Sequence, residues 1–288
     1  MPDQERAANN GLETGPSKGR YFMRFTPGQR YLHAVLFTTF LGLAATGLPM
    51  RFSESIWARE FATIVGGFGA IIFFHKLFAV VLTLAFLIHV RDLFTRAFIH
   101  REKGIFWGST SMVANWKDAK DLFGHIRWFL GLGPKPQFER YAYWEKFDYW
   151  AVFWGMIVIG FSGYAMWFAP FFAKFLPGWA LNAVLVIHSE EGLLAILFIF
   201  SIHFVNTHLR PDSFPMDMVV FTGVESEEEF KHKRTLEYER LRAQGKLEGR
   251  IVDAPGSWQI NFSKVVGFTA ILIGLVLLVL TLSAYFRE

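Results

Sequence analysis

Apolar and polar positions separate along this chain on the scale of whole segments. Tyr31–Met50 carries no charge, Gly66–Val90 carries only Lys76, and Tyr149–Phe172 carries none. Trp179–His203 has only Glu190 and Glu191, and Val265–Tyr285 is again free of charge. Each run is close to the about 20 residues that cross a bilayer as a helix. A span in lipid must satisfy every backbone polar group internally, which at these lengths only a helix does. The pattern therefore predicts five transmembrane helices and an all-α membrane protein. Between the runs, residues 105–132 mix Trp107, Trp116, Phe123, Trp128 and Phe129 with Lys117, Asp118, Lys120, Asp121 and Arg127. That mixture predicts a helix lying in the interface or covering one end of the bundle. Residues 225–250 are dense in charges of both signs and read as a solvated helix.

Composition supports the same class. The 288 residues are 52% hydrophobic and only 19% charged, with 33 Phe and ten Trp, so much of the surface must face lipid. Cysteine is absent, which excludes disulfides, thioether-linked c-type haem, iron–sulfur clusters and thiolate nucleophiles. Any redox centre would have to be held without a covalent link. The formal net charge is +4. In a membrane protein such an excess sets orientation rather than recruiting nucleic acid.

Lys and Arg are distributed unevenly. Residues 1–30 hold five, residues 91–146 ten and residues 204–264 nine; the opposite side has Arg51, Arg59, Lys174 and Arg287. This bias predicts a cytoplasmic N-terminus and long cytoplasmic loops, with the C-terminus on the outer side. No cleavable signal is expected at the N-terminus, because the first apolar run is already a full span.

Six of the nine histidines lie in or at the ends of spans: His33, His75, His89, His188, His203 and His208. An ionisable group in a transmembrane helix is a functional candidate by default. His75 and His89 are 14 apart and His188 and His203 are 15 apart. In a regular helix that leaves the partners within about 40° and 60° of one another, roughly 21–22 Å apart along the axis. Two helices thus each present one histidine near the outer side and one near the inner. Facing helices of a bundle can supply both axial ligands of a haem. A bis-histidine haem has no open position, so it transfers electrons and does not bind oxygen. Gly42 and Gly47 in the first span, and Gly155, Gly160 and Gly163 in the third, either let a flat macrocycle approach the backbone or serve ordinary close helix packing. His100, His125 and His232 read as loop residues, and His208 as a surface histidine unless a third haem enlists it.

The ends of the first and third spans echo each other. Thr46-Gly47-Leu48-Pro49-Met50-Arg51-Phe52 matches Ser162-Gly163-Tyr164-Ala165-Met166-Trp167-Phe168, and a histidine follows each glycine after 28 and 25 residues, His75 and His188. Two related helix pairs are the simplest reading.

These residues resemble a known family, the membrane cytochrome b subunits of respiratory formate dehydrogenases (the gamma subunit), nickel–iron hydrogenases and thiosulfate reductases. The likeness runs over about residues 20–210. It is carried by Gln29-Arg30-Tyr31-Leu32-His33, by His75, by Ser162-Gly163 with Trp167, Pro170 and Phe172, and by Val186-Ile187-His188, Gly192 and Ile202-His203. The His-Leu-Arg-Pro that follows is similar to homologues associated with multihaem c cytochromes. The resemblance implies a four-helix bundle over residues 31–210 holding two haems b, with a cytoplasmic loop over 91–148; the charged linker over 211–264 and the helix over 265–288 lie outside the likeness. It implies His75 with His188 at the outer haem and His33 with His203 at the inner one. The fourth span departs from the family, which has a spacing of 14, and His89 is an additional histidine at the inner depth. His89 is accordingly an alternative partner of His203, and a third haem remains open.

The implied role is an electron-transfer subunit of a quinone-linked oxidoreductase in a bacterial inner membrane. It would join the quinone or menaquinone pool to a redox subunit on the periplasmic side: a multihaem c cytochrome, an iron–sulfur protein, or a molybdenum or nickel–iron enzyme. Candidates for the quinone site are Asp92, Asn206 and His208, with His89. Arg51 and Lys76, with Arg59, are placed either to pair with haem propionates or to anchor the interface. Glu190 and Glu191 lie either in a polar pocket beside the outer haem or in interfacial water. The competing classes are a histidine-dependent proton or metal transporter and a haem-free membrane anchor.

Overall fold

The computed structural model describes residues 19–210 and 213–286. Pro211, Arg287 and the first 18 residues, which the charge count and the motif reading include, lie outside the described residues. The fold is helical, and five helices are long and apolar enough to cross a membrane: α1 (Pro27–Arg51), α3 (Phe68–Ile99), α5 (Tyr143–Trp167), α6 (Gly178–Leu209) and α9 (Ser257–Tyr285). The intervening helices α2 (Ile56–Val65), α4 (Trp116–Phe129), α7 (Glu227–Lys233) and α8 (Thr235–Ala243) are short.

Local chemistry sets several boundaries. Thr26 caps α1, its hydroxyl accepting from Gln29 N at 3.3 Å while Gln29 Oε1 accepts from Thr26 N at 3.0 Å, and Pro27 occupies the first turn. The sequence does not announce α2. It lies between α1 and α3 and ends at Gly66 and Gly67, whose φ of 106° and 92° give the sharp turn a conformation that other residues rarely adopt. Asn115 caps α4, accepting from Lys117 N at 2.8 Å. The interfacial helix therefore covers only Trp116–Phe129 of the stretch expected to form it. It exposes Trp116, Phe123 and Phe129 and buries Asp118, which takes an ion pair from Lys146 of α5 at 2.8 Å.

Helices α1, α3, α5 and α6 pack in a ring in that order, with α6 closing back on α1. Helix α9 lies outside the ring. Leu277 and Ala284 join Ala44 and Leu48 of α1, Phe52 just beyond its end, and Leu193, Ile196, Phe200 and Phe204 of α6 in the largest apolar core. A Cβ at Gly274 would stand 2.7 Å from the Phe204 ring, so this glycine sets how closely α9 approaches α6.

The end of the bundle where α1 begins is called proximal here, and the other distal. A small cap covers the proximal end. Strand β1 (Tyr21–Met23) pairs antiparallel with both β2 (Val224–Ser226) and β3 (Ile251–Val252). Phe22, Phe230, Tyr238, Leu241 and Leu247 form the core beneath this sheet. The stretch over 225–250 is thus not one solvated helix: it breaks at Arg234 and turns an apolar side onto β1. Buried ion pairs fasten the cap, including Arg140 to Glu237 at 3.1 Å and Arg24 to Glu145 at 3.2 Å.

Candidate functional site

At the distal end the His75 and His188 rings come together, with centroids 6.3 Å apart and planes at 78°. His75 belongs to α3 and His188 to α6. Each ring is held from behind by a neighbouring helix. Thr46 Oγ1 lies 2.7 Å from Gly42 O and 2.9 Å from His75 Nδ1. A carbonyl only accepts, so the hydroxyl proton goes to Gly42 and Thr46 accepts from His75 Nδ1–H. His188 Nδ1 lies 2.9 Å from Ile159 O and 3.2 Å from Ser162 Oγ. Because the Ile159 carbonyl is an acceptor, His188 Nδ1 also carries the proton. Both rings are fixed in the tautomer that leaves the Nε2 lone pair available, the state in which imidazole binds a metal.

The glycines of the echo are part of this arrangement. A Cβ at Gly47 would stand 3.3 Å from His75 Cε1, and a Cβ at Gly163 would stand 2.9 Å from His188 Cε1. Thr46-Gly47 serves His75 as Ser162-Gly163 serves His188. A hydroxyl residue holds the ring, and the glycine after it leaves the space the ring fills. Gly42 makes room for a different ring, that of Phe78, which a Cβ would meet at 2.6 Å. Thr46 and Ser162 carry no motif of their own; the signal that marks them in the sequence is that each stands directly before an echoed glycine.

The other distal candidates have protein partners. Arg51 Nη2 reaches Glu190 Oε1 at 3.0 Å, and Lys76 Nζ lies 4.9 Å from the Trp167 ring centroid. Glu191 Oε2 accepts from Trp154 Nε1 at 3.3 Å. Arg59 binds the Glu54 carbonyl.

The proximal histidines are arranged differently. His203 Nδ1 donates to Asp148 Oδ2 at 2.9 Å, and the His208 ring stands 6.4 Å from the His203 ring at 88°. His33, on α1 beside Phe37, lies within electrostatic range of both. His208 is not a surface histidine: it is 9% exposed and packs on Phe204. Its burial follows from a π turn over Val205–Leu209, where a wider turn replaces the α spacing. His208 Nδ1 and Asp148 Oδ1 are both buried without a hydrogen-bond partner among the described residues. Asn206 is half-buried on the same turn. Asp92 is exposed and paired with Arg96 at 3.7 Å. His89 turns to α5, where its Nε2 is hydrogen-bonded to Tyr149 Oη at 3.0 Å and its ring packs on Phe153.

A second π turn, Ile199–His203, lies between His188 and His203. It holds one residue more than an α turn. The 15-residue interval thereby acquires the phase of 14 α-helical residues, about 40°, the angle that separates His75 from His89. The surplus residue in the fourth span is absorbed without turning His203 off the inward face.

Of the loop histidines, His100 and His232 are exposed, whereas His125 is buried in an aromatic cage with Phe129 stacked 5.1 Å away. Among the described residues, no group of three or more His, Asp or Glu side chains converges as a metal-ion site. No protein-family model matches this chain, and no curated protein matches it.

Proposed function

We propose that this chain is a membrane cytochrome b, the electron-transfer subunit of a quinone-linked oxidoreductase, with two haems b each held by two histidines. The observation that carries the reading is the distal pair. Two imidazole–metal bonds of roughly 2 Å, with the radius of each ring added, call for ring centroids a little over about 6 Å apart. His75 and His188 stand at 6.3 Å, each with Nδ1 occupied and Nε2 available. A chance pair of transmembrane histidines has no reason to combine that spacing with that tautomer on both sides.

At the proximal end His203 is prepared in the same way, its Nδ1 bound by Asp148. His33 is its partner in this reading, since His89 already bonds Tyr149 through Nε2. Bound there, the haems would supply reversible one-electron chemistry. The two unpartnered polar atoms beside His203, His208 Nδ1 and the carboxylate oxygen Asp148 Oδ1, would bind the hydroxyls of a quinol headgroup. The cationic proximal end is assigned to the cytoplasm, the distal end to the periplasm of a bacterial inner membrane. There a redox subunit carrying c haems, iron–sulfur clusters or a molybdenum or nickel–iron centre would exchange electrons with the distal haem.

The test is a reduced-minus-oxidised spectrum of the purified full-length protein, with haem b quantified per chain. Two haems per chain are expected. A protein that folds in the membrane without haem would overturn the reading.

A further inference from the structure

The two histidine layers differ in the charge of what holds them. In the distal layer both Nδ1 atoms meet neutral acceptors, the Thr46 hydroxyl and the Ile159 carbonyl, each at 2.9 Å. In the proximal layer His203 Nδ1 meets a carboxylate, Asp148, also at 2.9 Å. That carboxylate is largely shielded from solvent, its side chain 16% exposed, and its ion-pair partner among the described residues is His203 alone. Its second oxygen is buried without a partner. Lys146, two residues before Asp148 on α5, is taken by Asp118 at 2.8 Å. Around the distal layer, Arg51 pairs with Glu190 at 3.0 Å and Lys76 lies over the Trp167 ring.

A carboxylate that accepts from the far nitrogen of a ligating imidazole makes the near nitrogen a stronger donor. An uncompensated negative charge in a medium of low dielectric also favours the more positive, oxidised state of a metal beside it. Resting on the di-haem reading, we propose that Asp148 is a positioning residue that sets the proximal centre at the lower potential of the two, so that electrons run from the cytoplasmic end outward. A quinol at the proximal end would then lose its two O–H protons to the cytoplasmic water. It would become quinone as its two electrons pass, one at a time, to a one-electron acceptor on the periplasmic side. The carboxylate acts through His203 and its charge, and the direction of flow follows from the asymmetry between the layers.

The test is a spectroelectrochemical titration of the haem absorbance of the full-length protein. The wild type should show two one-electron waves. Asp148→Asn, which keeps the side-chain shape and removes the charge, should move the lower wave upward and leave the upper wave in place. Asp148→Glu should restore the lower wave toward its wild-type position, which a merely structural role would not do. Ser162→Ala, at the distal ring, should shift only the upper wave and so assign it. If neither wave responds to Asp148→Asn, or if the upper one does, the proposal is overturned. Should Asp148→Asn retain a single haem, the surviving wave must be the upper one, and survival of the lower overturns the proposal equally. Absence of haem waves in the wild type would instead sink the di-haem reading itself.

Discussion

His75 and His188 stand on different helices with ring centroids 6.3 Å apart, each held through Nδ1 from a neighbouring helix, His75 by the Thr46 hydroxyl and His188 by the Ile159 carbonyl with Ser162 Oγ beside it. If the two rings share one iron, removing either removes the same cofactor. His75→Ala and His188→Ala should each lower haem content from two to one per chain and abolish the same spectral component. The double variant should lose no more than either single one. Haem quantified per chain in the three purified variants checks this, and full retention in either single variant would break the pairing.

The glycines give a test in which stability and cofactor move apart. Alanine is favoured over glycine within a helix by about 1 kcal/mol, so the substitution does not weaken the helix itself. A Cβ at position 163 would nevertheless lie 2.9 Å from His188 Cε1, and one at 47 would lie 3.3 Å from His75 Cε1. Gly163→Ala must displace its ring, whereas Gly47→Ala asks for a shift of a few tenths of an ångström. Haem loss should be marked in Gly163→Ala and slight in Gly47→Ala, with both proteins accumulating normally in the membrane. Equal retention would mean that the rings have more freedom than the structure shows.

Part of this arrangement is legible in the sequence. The echo around Gly47 and Gly163, followed by His75 and His188, already marks two related helix pairs, because each glycine and its histidine meet across one short connection. The π turns are not legible. Nothing in Ile199–His203 announces the wider turn, so the 15-residue spacing reads as an angular mismatch that the backbone in fact corrects. Asp148 escapes for a different reason. The third span was delimited by absence of charge and so begins at Tyr149, while α5 begins at Tyr143 and carries Asp148 inward with it. The criterion that finds membrane spans discards the charged residue at the edge. The cap is hidden because its strands are three residues or fewer and its core residues lie far apart in sequence.

Glu237 offers a test outside the membrane. Its side chain is 1% exposed, and Oε1 accepts from Arg140 at 3.1 Å and from Arg250 at 2.9 Å. Burial alone would push this carboxyl up, but Arg140, Arg24 and Arg250 outweigh burial and hold it below its usual range. A depressed carboxyl contributes stability above its unfolded-state pKa, about 4.3, and loses that contribution as pH falls through the folded-state value. Glu237→Gln strands buried arginines, a change that costs about 3–5 kcal/mol when a buried pair is broken. Limited proteolysis of the cap should therefore accelerate strongly in Glu237→Gln at pH 7. Wild type and variant should converge as the medium is taken well below pH 4. A gap that widened on acidification would contradict the sign.

The partner of His203 is decided by comparing His33 with His89. His89 Nε2 is hydrogen-bonded to Tyr149 Oη at 3.0 Å, and its ring lies edge-on to both Tyr149 and Phe153. An imidazole nitrogen engaged by a phenol is not an open donor, and that contact binds α3 to α5 rather than to α6. His33 lies on α1, within electrostatic range of His203 and His208. His33→Ala should therefore lose the proximal haem and leave one per chain, while His89→Ala should retain two. Tyr149→Phe should behave like His89→Ala, each losing one hydrogen bond worth about 1 kcal/mol of stability without loss of haem. The reverse result, with His89→Ala losing a haem and His33→Ala keeping both, would assign the pair to α3 and α6. The motif that opens α1 would then serve helix capping and attachment of the cap alone. Three haems per chain in the wild type would instead bring His89 and His208 in as ligands, and would require the Tyr149 contact to open when haem is bound.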